Sequence, residues 1–234
     1  MRSSKWHALG NTYLVVERDD TASLDARRAR ELARDSDGVL EVLATGEDKL
    51  EIVVWNPDGS VAELSGNGTR IAAAWLAART GARKVDVRVG DRVVVARILA
   101  DGEIEQELGP VEVGPAETVE GITFVPVSVG NPHAVVEGDP AEIERIGSLL
   151  ETHARFPQRT NVQVVHVDAP GEVTARVWER GVGETTASGT GAVAVAAATH
   201  AEGDVLVHFP GGDLRVRLVG DRAYLTGPAE PLSV

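Results

Sequence analysis

Hydrophobic and polar residues alternate over short stretches along most of this chain. The stretches are rich in β-branched residues and end at Gly, Asp or Pro, which is typical of strands and hairpins. They are "TYLVVE", "KLEIVVW", "KVDVRV", "RVVVARI", "ITFVPVSV", "NVQVVHV", "VTARVW", "DVLVHF", "LRVRLV" and "AYLTG". Four segments are helical in pattern instead: "SLDARRARELARD", "AEIERIGSLLETH" and the runs that follow Ser65 and Ser188. The last two are apolar on most faces, as a helix inside a core must be.

The chain also repeats itself. A Val-Trp pair is followed ten residues later by a serine, Ser65 in one copy and Ser188 in the other, and Gly-x-Gly then opens the apolar helix. Upstream, "GNTYLVVE" at 10–17 is matched by "GNPHAVVE" at 130–137, so the offset is 120 residues there and 123 at the serines. A period near half the chain is too long for a solenoid repeat and indicates two homologous domains.

We therefore predict an α/β (α+β) fold of two homologous domains related by a pseudo-twofold axis. Each would be a mostly antiparallel, barrel-like sheet around a central helix. The boundaries predicted are 1–112, joined by 227–234 at the C-terminus, and 113–226.

Composition narrows the function. A net charge of −13 over 234 residues argues against nucleic acid or an acidic membrane surface as a partner, because both draw on basic patches. There is no cysteine, so neither a disulfide framework nor a thiolate metal site can form. The N-terminus lacks the apolar core of a signal peptide, and no stretch approaches the length of a membrane span. A cytoplasmic protein with a small-molecule substrate is expected.

Ser65 and Ser188 are the candidate chemical groups. If each stands at the N-terminus of a buried helix, the following residues offer backbone N–H groups and the positive end of the helix dipole to a carboxylate. Two such groups on either side of a carboxylate-bearing carbon suit racemisation or epimerisation without a cofactor. The alternative for either serine is a structural N-cap, among the commonest uses of serine.

Five segments together resemble the diaminopimelate epimerases, in the same order and nearly the same spacing: "KWHALGNTYLVVE", "NPDGSVAELSGNGTR", "GNPH", "RTNV" and "WERGVGETTASGTGA". The resemblance implies two similar α/β domains with the active site in the cleft. It implies interconversion of LL- and meso-diaminopimelate, a step of lysine and peptidoglycan biosynthesis, by two cysteines acting without pyridoxal phosphate or metal. It also implies a homodimer.

The resemblance carries a set of site residues over to this chain. His133 and Glu179 occupy positions that flank the catalytic pair in the family and tune its protonation. The substrate contacts implied are Asn11, Asn56, Gly66, Asn67, Asn131, Asn161, Glu179, Arg180, Gly189 and Thr190. Taken singly, Asn131 also fits a turn, His133 a structural histidine, and Glu179 with Arg180 a solvated pair.

The chain departs from the family at the centre of its chemistry, because Ser65 and Ser188 stand at both cysteine positions. A serine hydroxyl acts as a base or nucleophile only when another group takes its proton. The serines could epimerise slowly with help from His133 or Glu179, could mark a scaffold that binds substrate and turns it over poorly, or could serve other chemistry. Thr12 stands where the family usually has Asp, and the stretch at 33–42 is shorter than the family's loop over the distal end of the substrate.

Three classes of function therefore remain. The first is a cofactor-independent amino-acid epimerase. The second is another isomerase or a dehydratase on the same fold, which would not need Arg180 together with Asn161. The third is a binding protein for carboxylate ligands in which both serines are only caps.

Overall fold

A computed structural model describes residues 2–18 and 23–232 of the chain. The backbone divides into two compact units, one formed by Met1–Glu107 with Gly227–Val234 and the other by Leu108–Thr226. Each unit is dominated by its sheet and has few helices, which confirms the predicted class.

The first unit is built from a strand-rich run with one long helix. Its elements are β1 (Arg2–Ala8), β2 (Asn11–Glu17), α1 (Ala26–Leu32), β3 (Val39–Thr45), β4 (Lys49–Trp55), β5 (Val61–Ala62), α2 (Gly66–Thr80), β6 (Lys84–Val89), β7 (Arg92–Ile98) and the first four residues of β8 (Ile104–Pro110).

The second unit repeats this succession. Its elements are β9 (Glu112–Val113), β10 (Glu117–Val119), β11 (Ile122–Ser128), β12 (Pro132–Glu137), α3 (Ile143–Glu151), β13 (Asn161–Ala169), β14 (Glu172–Glu179), β15 (Gly183–Thr185), α4 (Gly189–Thr199), β16 (Gly203–Phe209), β17 (Gly212–Val219) and β18 (Arg222–Gly227). A last short strand, β19 (Glu230–Pro231), returns to the first unit and pairs with β1.

The strand pairing of the two units follows one scheme. In the first, β1, β2, β3, β4, β6, β7 and β8 are neighbours in that order, with β2–β3 and β4–β6 parallel and the other pairs antiparallel. In the second, β11, β12, β13, β14, β16, β17 and β18 follow, with β12–β13 and β14–β16 parallel. The parallel pairs fall where a helix connects the strands, because a parallel pair needs a crossover. The duplication read from the sequence is thus a duplication of topology.

The helices α2 and α4 fill the cores of their units. Ile71 and Ala72 of α2 are completely buried, and so is every residue of α4 from Ala192 to Ala196. Neither helix has a polar face along this stretch, which is why both must lie against sheet on several sides. The sheets of the two units pack around them, since α2 contacts β1, β2, β4, β6 and β7, and α4 contacts β11, β12, β13, β14, β16 and β17.

The helices predicted from the sequence are present but shorter at their ends. The segment at 23–35 is helical from Ala26, with a 3₁₀ turn at Ala33–Asp35, and Asp25 caps it by accepting from the Arg28 N–H. The segment at 141–153 is helical over Ile143–Glu151 after a 3₁₀ turn. In the part of the chain that the structure describes, no helix is long and apolar enough to cross a membrane.

Several strands lie outside the runs that the sequence marked, notably β1, β3 and β8. The stretch at 33–42, taken from the sequence as a loop, includes the start of β3. In β8, Ile104, Gln106 and Leu108 form a buried face and alternate with acidic residues. Because one residue of that face is the polar Gln106, the alternation of apolar and polar residues is weak in the sequence.

Candidate active site

Ser65 is the N-cap residue of α2. Its backbone is extended, at φ −133° and ψ 116°, and its Oγ accepts a hydrogen bond from the Gly68 N–H at 2.9 Å. The hydroxyl of Tyr13, on β2, lies 3.0 Å from the same Oγ. Ser65 is therefore a cap, as the plain interpretation has it, and also the partner of a second ionisable hydroxyl.

The first turn of α2 is buried, and Arg70 and Gln106 hydrogen-bond to its residues. Asn67 is 4% exposed, and its Oδ1 accepts from Nη2 of Arg70 at 2.7 Å. The amide of Gln106 satisfies its neighbours when its nitrogen donates to the Gly66 carbonyl at 2.9 Å and its oxygen accepts from Thr69 Oγ1 and the Arg70 N–H. The turn that would contact a ligand is thus fixed by the side chains of Arg70 and Gln106.

Two further predicted contacts of this unit, Asn11 and Asn56, belong to elements other than α2. Asn11 is half-buried at the start of β2, opposite Ala8. Asn56, just after β4, closes a turn by donating its backbone N–H to the Ser60 carbonyl at 2.8 Å and its Nδ2 to Ser60 Oγ at 2.9 Å.

Thr12, the departure noted beside Asn11, has a carboxylate partner. Its backbone N–H and its Oγ1 both donate to Oδ2 of Asp37, at 2.7 and 2.8 Å. Asp37 belongs to the short connection before β3. A carboxylate is therefore present beside position 12, supplied from 25 residues along the chain.

Ser188 is the N-cap residue of α4, with nearly the same backbone as Ser65, at φ −136° and ψ 126°. It is 5% exposed, and its Oγ accepts from the Gly191 N–H at 3.2 Å. A Cβ on Gly191 would lie 2.9 Å from the Ser188 Cβ, so this position requires glycine. Gly189 and Thr190 form the buried first turn.

Amides and an imidazole form a chain beside this turn. Asn131 donates from Nδ2 to Thr190 Oγ1 at 3.3 Å, and its Oδ1 lies 3.0 Å from Nε2 of His133. Nδ1 of His133 lies 3.0 Å from Nε2 of Gln163. Burial lowers the pKa of His133 to about 4, with the charge of Arg180 acting in the same direction and the hydrogen bond with Gln163 opposing it. The imidazole is therefore neutral at neutral pH.

The turn after β14 carries Glu179 and Arg180. Asn161 accepts from the Arg180 N–H at 3.0 Å and donates from Nδ2 to the Pro132 carbonyl at 2.9 Å. Oε1 of Glu179 accepts from Thr185 Oγ1 at 2.6 Å. Asn161 thus ties the Arg180 backbone to the strand that bears His133.

A buried glutamate also holds this turn. Glu151, at the end of α3 and 6% exposed, accepts from the Gly181 N–H at 2.6 Å and from Trp178 Nε1 at 2.8 Å. The first unit has the counterpart, since Glu41 accepts from Trp55 Nε1 at 3.0 Å. The tryptophans of the duplicated Val-Trp pairs are therefore both anchored by a carboxylate, although from different elements.

The structure links Asn131 to His133 and to Thr190, in the first turn after Ser188, and it links Asn161 to the Arg180 backbone. It does not hydrogen-bond His133 or Glu179 to the serine itself: among the described residues, the side chain of Ser188 has the Gly191 N–H as its partner. The sequence analysis missed Tyr13, Arg70, Glu151 and Gln163. Arg70 had a visible signal, a charged residue at the head of an otherwise apolar helix.

Known proteins resemble this chain along nearly its whole length. The family model for diaminopimelate epimerase matches residues 3–116 and 125–232. This chain belongs to the diaminopimelate epimerase family. Among relatives, the diaminopimelate epimerase of Desulforudis audaxviator is 38% identical, over 98% of this chain and 96% of its own. That of Xanthomonas campestris is 37% identical, over 98% of this chain and 93% of its own.

Solved structures show the same fold at low identity. A phenazine biosynthesis protein of Bacillus anthracis has a TM-score of 0.78 and 13% identity, over 100% of this chain and 98% of its own. A hydroxyproline epimerase of Agrobacterium vitis, with bound trans-4-hydroxy-L-proline, has a TM-score of 0.69 and 14% identity, over 99% of this chain and 89% of its own. Likeness at this identity shows the fold alone.

Proposed function

We propose that this protein is a cofactor-independent amino-acid epimerase that interconverts LL- and meso-diaminopimelate in lysine biosynthesis, with Ser65 and Ser188 as its acid–base pair. The observation that carries the proposal is the twin placement of these serines. Each caps a buried helix from an extended backbone, with its Oγ on the third N–H of the turn. Epimerisation needs one acid–base group for each face of the α-carbon, and each unit supplies one.

The first turns after the two serines fit the charge that the reaction develops. One serine, after a neighbouring group has taken its hydroxyl proton, would take the α-proton as the alkoxide. The electron pair would remain on the α-carbon and spread into its carboxylate, and the other serine would give its hydroxyl proton to the opposite face and be left as the alkoxide. Backbone N–H groups and the positive helix ends favour that negative charge. No group outside the protein is needed to balance these proton transfers.

Arg180 and the asparagines support a substrate with a second carboxylate. A guanidinium grips a carboxylate through two parallel hydrogen bonds. The backbone of Arg180 is fixed by Asn161 and by the neighbouring hydrogen bond of Gly181 to Glu151. A preorganised arginine of this kind suits the distal end of diaminopimelate.

The serines make turnover slow. A thiol has a pKa of about 8.5, which a helix N-terminus lowers further, whereas a serine needs a neighbour to take its proton. Ser65 has the Tyr13 hydroxyl at 3.0 Å. At Ser188 the expected helper, His133, hydrogen-bonds to amides instead, and burial lowers its pKa to about 4, which makes it a weak base.

A second candidate is a binding protein without turnover. It is favoured by one observation, that both serine oxygens already accept the N–H bonds expected of ordinary caps. Ligand would then stabilise the fold by mass action without exchange of the α-proton.

Proton NMR of meso- and LL-diaminopimelate in heavy water separates these cases. The native chain is compared with the Ser65→Cys/Ser188→Cys and Ser65→Ala/Ser188→Ala double variants, and ligand-induced shifts in melting temperature are measured alongside. We expect slow loss of the α-proton signal with the native chain, much faster loss with the cysteines and none with the alanines. Stabilisation by ligand with no exchange by native chain or cysteine variant would establish binding only, and no stabilisation and no exchange would refute the substrate.

A further inference from the structure

Arg70, the fifth residue of α2, has the largest completely buried side chain in the described part of the protein. Its Nε donates to the Pro228 carbonyl at 3.0 Å and its Nη2 to Asn67 Oδ1 at 2.7 Å. Its Nη1 has no hydrogen-bond partner. The guanidinium thus lies against the first turn of α2 with one donor unused.

No carboxylate among the described residues neutralises this charge. Within residues 2–18 and 23–232 Arg70 makes no ion pair, and the partners of its Nε and Nη2 are neutral oxygens. Burial lowers its pKa to about 10, which still leaves it charged at neutral pH. A buried charge without a counter-charge is costly, so its presence calls for a reason other than stability.

The second unit has no arginine at the matching position. The residue at the same distance from the second serine, five positions after Ser188, is Val193, which is also completely buried. One helix start of the pair therefore carries a buried cation and the other an apolar side chain in the matching place. The two starts have the same backbone but differ in charge.

We propose that Arg70 is a positioning residue that supplies the counter-charge for a carboxylate bound at the first turn of α2. This inference rests on the proposed function, in which that turn receives the carboxylate of the reacting centre. Through Nη2 the arginine also fixes Asn67, the second residue of the turn. Its charge adds to the helix dipole and favours a carboxylate at this turn.

The test compares three substitutions by isothermal titration calorimetry, with circular dichroism to confirm folding. Arg70→Met removes the charge at similar volume, and Arg70→Lys keeps the charge but not the planar fork. Arg79→Met is the matched control, because Arg79 is on the same helix but exposed and paired with Glu17. Arg70→Gln is a second neutral variant should methionine not fold. The probes are meso-diaminopimelate, trans-4-hydroxy-L-proline and 1,5-diaminopentane, the last of which has no carboxylate.

We expect Arg70→Met to weaken binding of the carboxylate probes about tenfold or more, which corresponds to about 1.4 kcal/mol. Arg70→Lys should stay within about threefold of the native chain, since the charge remains. Arg79→Met should leave binding unchanged, and the diamine should show no dependence on Arg70.

Each contrary result overturns the inference in a distinguishable way. If Arg70→Met binds the carboxylate probes as tightly as native protein, Arg70 is not their counter-charge. If Arg70→Met and Arg70→Lys lose the same affinity, or if the diamine loses affinity as well, Arg70 acts through its shape rather than its charge. If native protein epimerises diaminopimelate but the Arg70 substitutions leave its Kd unchanged, the inference fails and the proposed function stands. If only hydroxyproline binds, with the expected dependence on Arg70, the inference stands and the proposed substrate fails. Binding of neither carboxylate probe refutes both.

Discussion

The hydroxyl of Tyr13 lies 3.0 Å from Ser65 Oγ, which also accepts the Gly68 N–H. Ser188 has the matching N–H bond but, among the described residues, no side-chain partner. The two caps are therefore alike in backbone and unlike in chemistry. A serine with a neighbouring ionisable hydroxyl, with which it can exchange a proton, is the better candidate for proton transfer.

Removing that hydroxyl should slow exchange of the α-proton. We expect Tyr13→Phe to lower the rate on the order of tenfold or more, within the range of general acid–base effects, while the fold is retained. The rate is measured by loss of the α-proton NMR signal in heavy water. The same substitution in the Ser65→Cys/Ser188→Cys background is the control. It should have little effect there, because a thiol needs no partner, and equal slowing in both backgrounds would point to packing instead.

Glu151→Gln should both destabilise the second unit and weaken ligand binding. The buried carboxylate accepts from the Gly181 N–H and Trp178 Nε1, and an amide nitrogen in place of either oxygen faces a donor. We expect a loss of about 1–3 kcal/mol in unfolding free energy, measured with urea, and a higher Kd for meso-diaminopimelate by calorimetry.

The matched control is Glu117→Gln, which removes a carboxylate from an exposed pair with Arg155. Exposed pairs contribute about 0–1 kcal/mol, so its effect should be small and its Kd native. A native Kd for Glu151→Gln would contradict the assignment of Glu151 to the turn that carries Arg180.

Acid should destabilise the fold through His133. The unfolded histidine has a pKa of 6.5, whereas burial lowers the folded value to about 4. Between these pH values the unfolded state binds a proton that the folded state does not. The free energy of unfolding therefore has its full value above pH 6.5 and decreases as the pH falls towards 4. The loss amounts to at most about 3 kcal/mol.

Urea unfolding of native protein and His133→Gln at pH 7.5, 5.5 and 4.5 measures this contribution. We expect the variant to lose less stability than native protein over that range. His166→Gln removes an exposed histidine of the same unit and should keep the native dependence. Parallel pH curves for native protein and His133→Gln would show that another group is responsible.

Gly147→Ala should strain the packing of α3. A Cβ there would lie 2.5 Å from Cβ and 2.6 Å from Cγ of Trp178, far inside contact distance. We expect a loss of about 1–3 kcal/mol, typical of overpacked cores, measured by urea unfolding. Gly138→Ala is the control, because its nearest neighbour would be a Val164 methyl at 3.9 Å. The clash is not real if both alanines unfold at the same urea concentration.

The sequence predicts an element well when the hydrophobic pattern of that element's own residues is clear. The apolar runs after Ser65 and Ser188 have no polar face, so the sequence predicts a buried helix for each. Both are central helices in the structure. In β8, by contrast, a buried Gln106 interrupts the apolar face. In the part of the chain that the structure describes, the side chain of that glutamine is satisfied by groups of α2, which are distant in sequence. A strand whose buried side chain depends on such a partner has a weak local pattern.

The sequence by itself determined the duplication, the two-domain α/β class, the family and the matching positions of Ser65 and Ser188 in the two copies. These follow from periodicity, motif spacing and the resemblance of five motifs to a known family, which are properties of the chain. Only the tertiary structure decided that the Tyr13 hydroxyl lies 3.0 Å from Ser65 Oγ, that Glu151 holds the turn beside Arg180, and that Nη1 of the buried Arg70 has no hydrogen-bond partner among the described residues. Such relationships join residues far apart in sequence, and their energies depend on burial and distance, which exist only once the chain has folded.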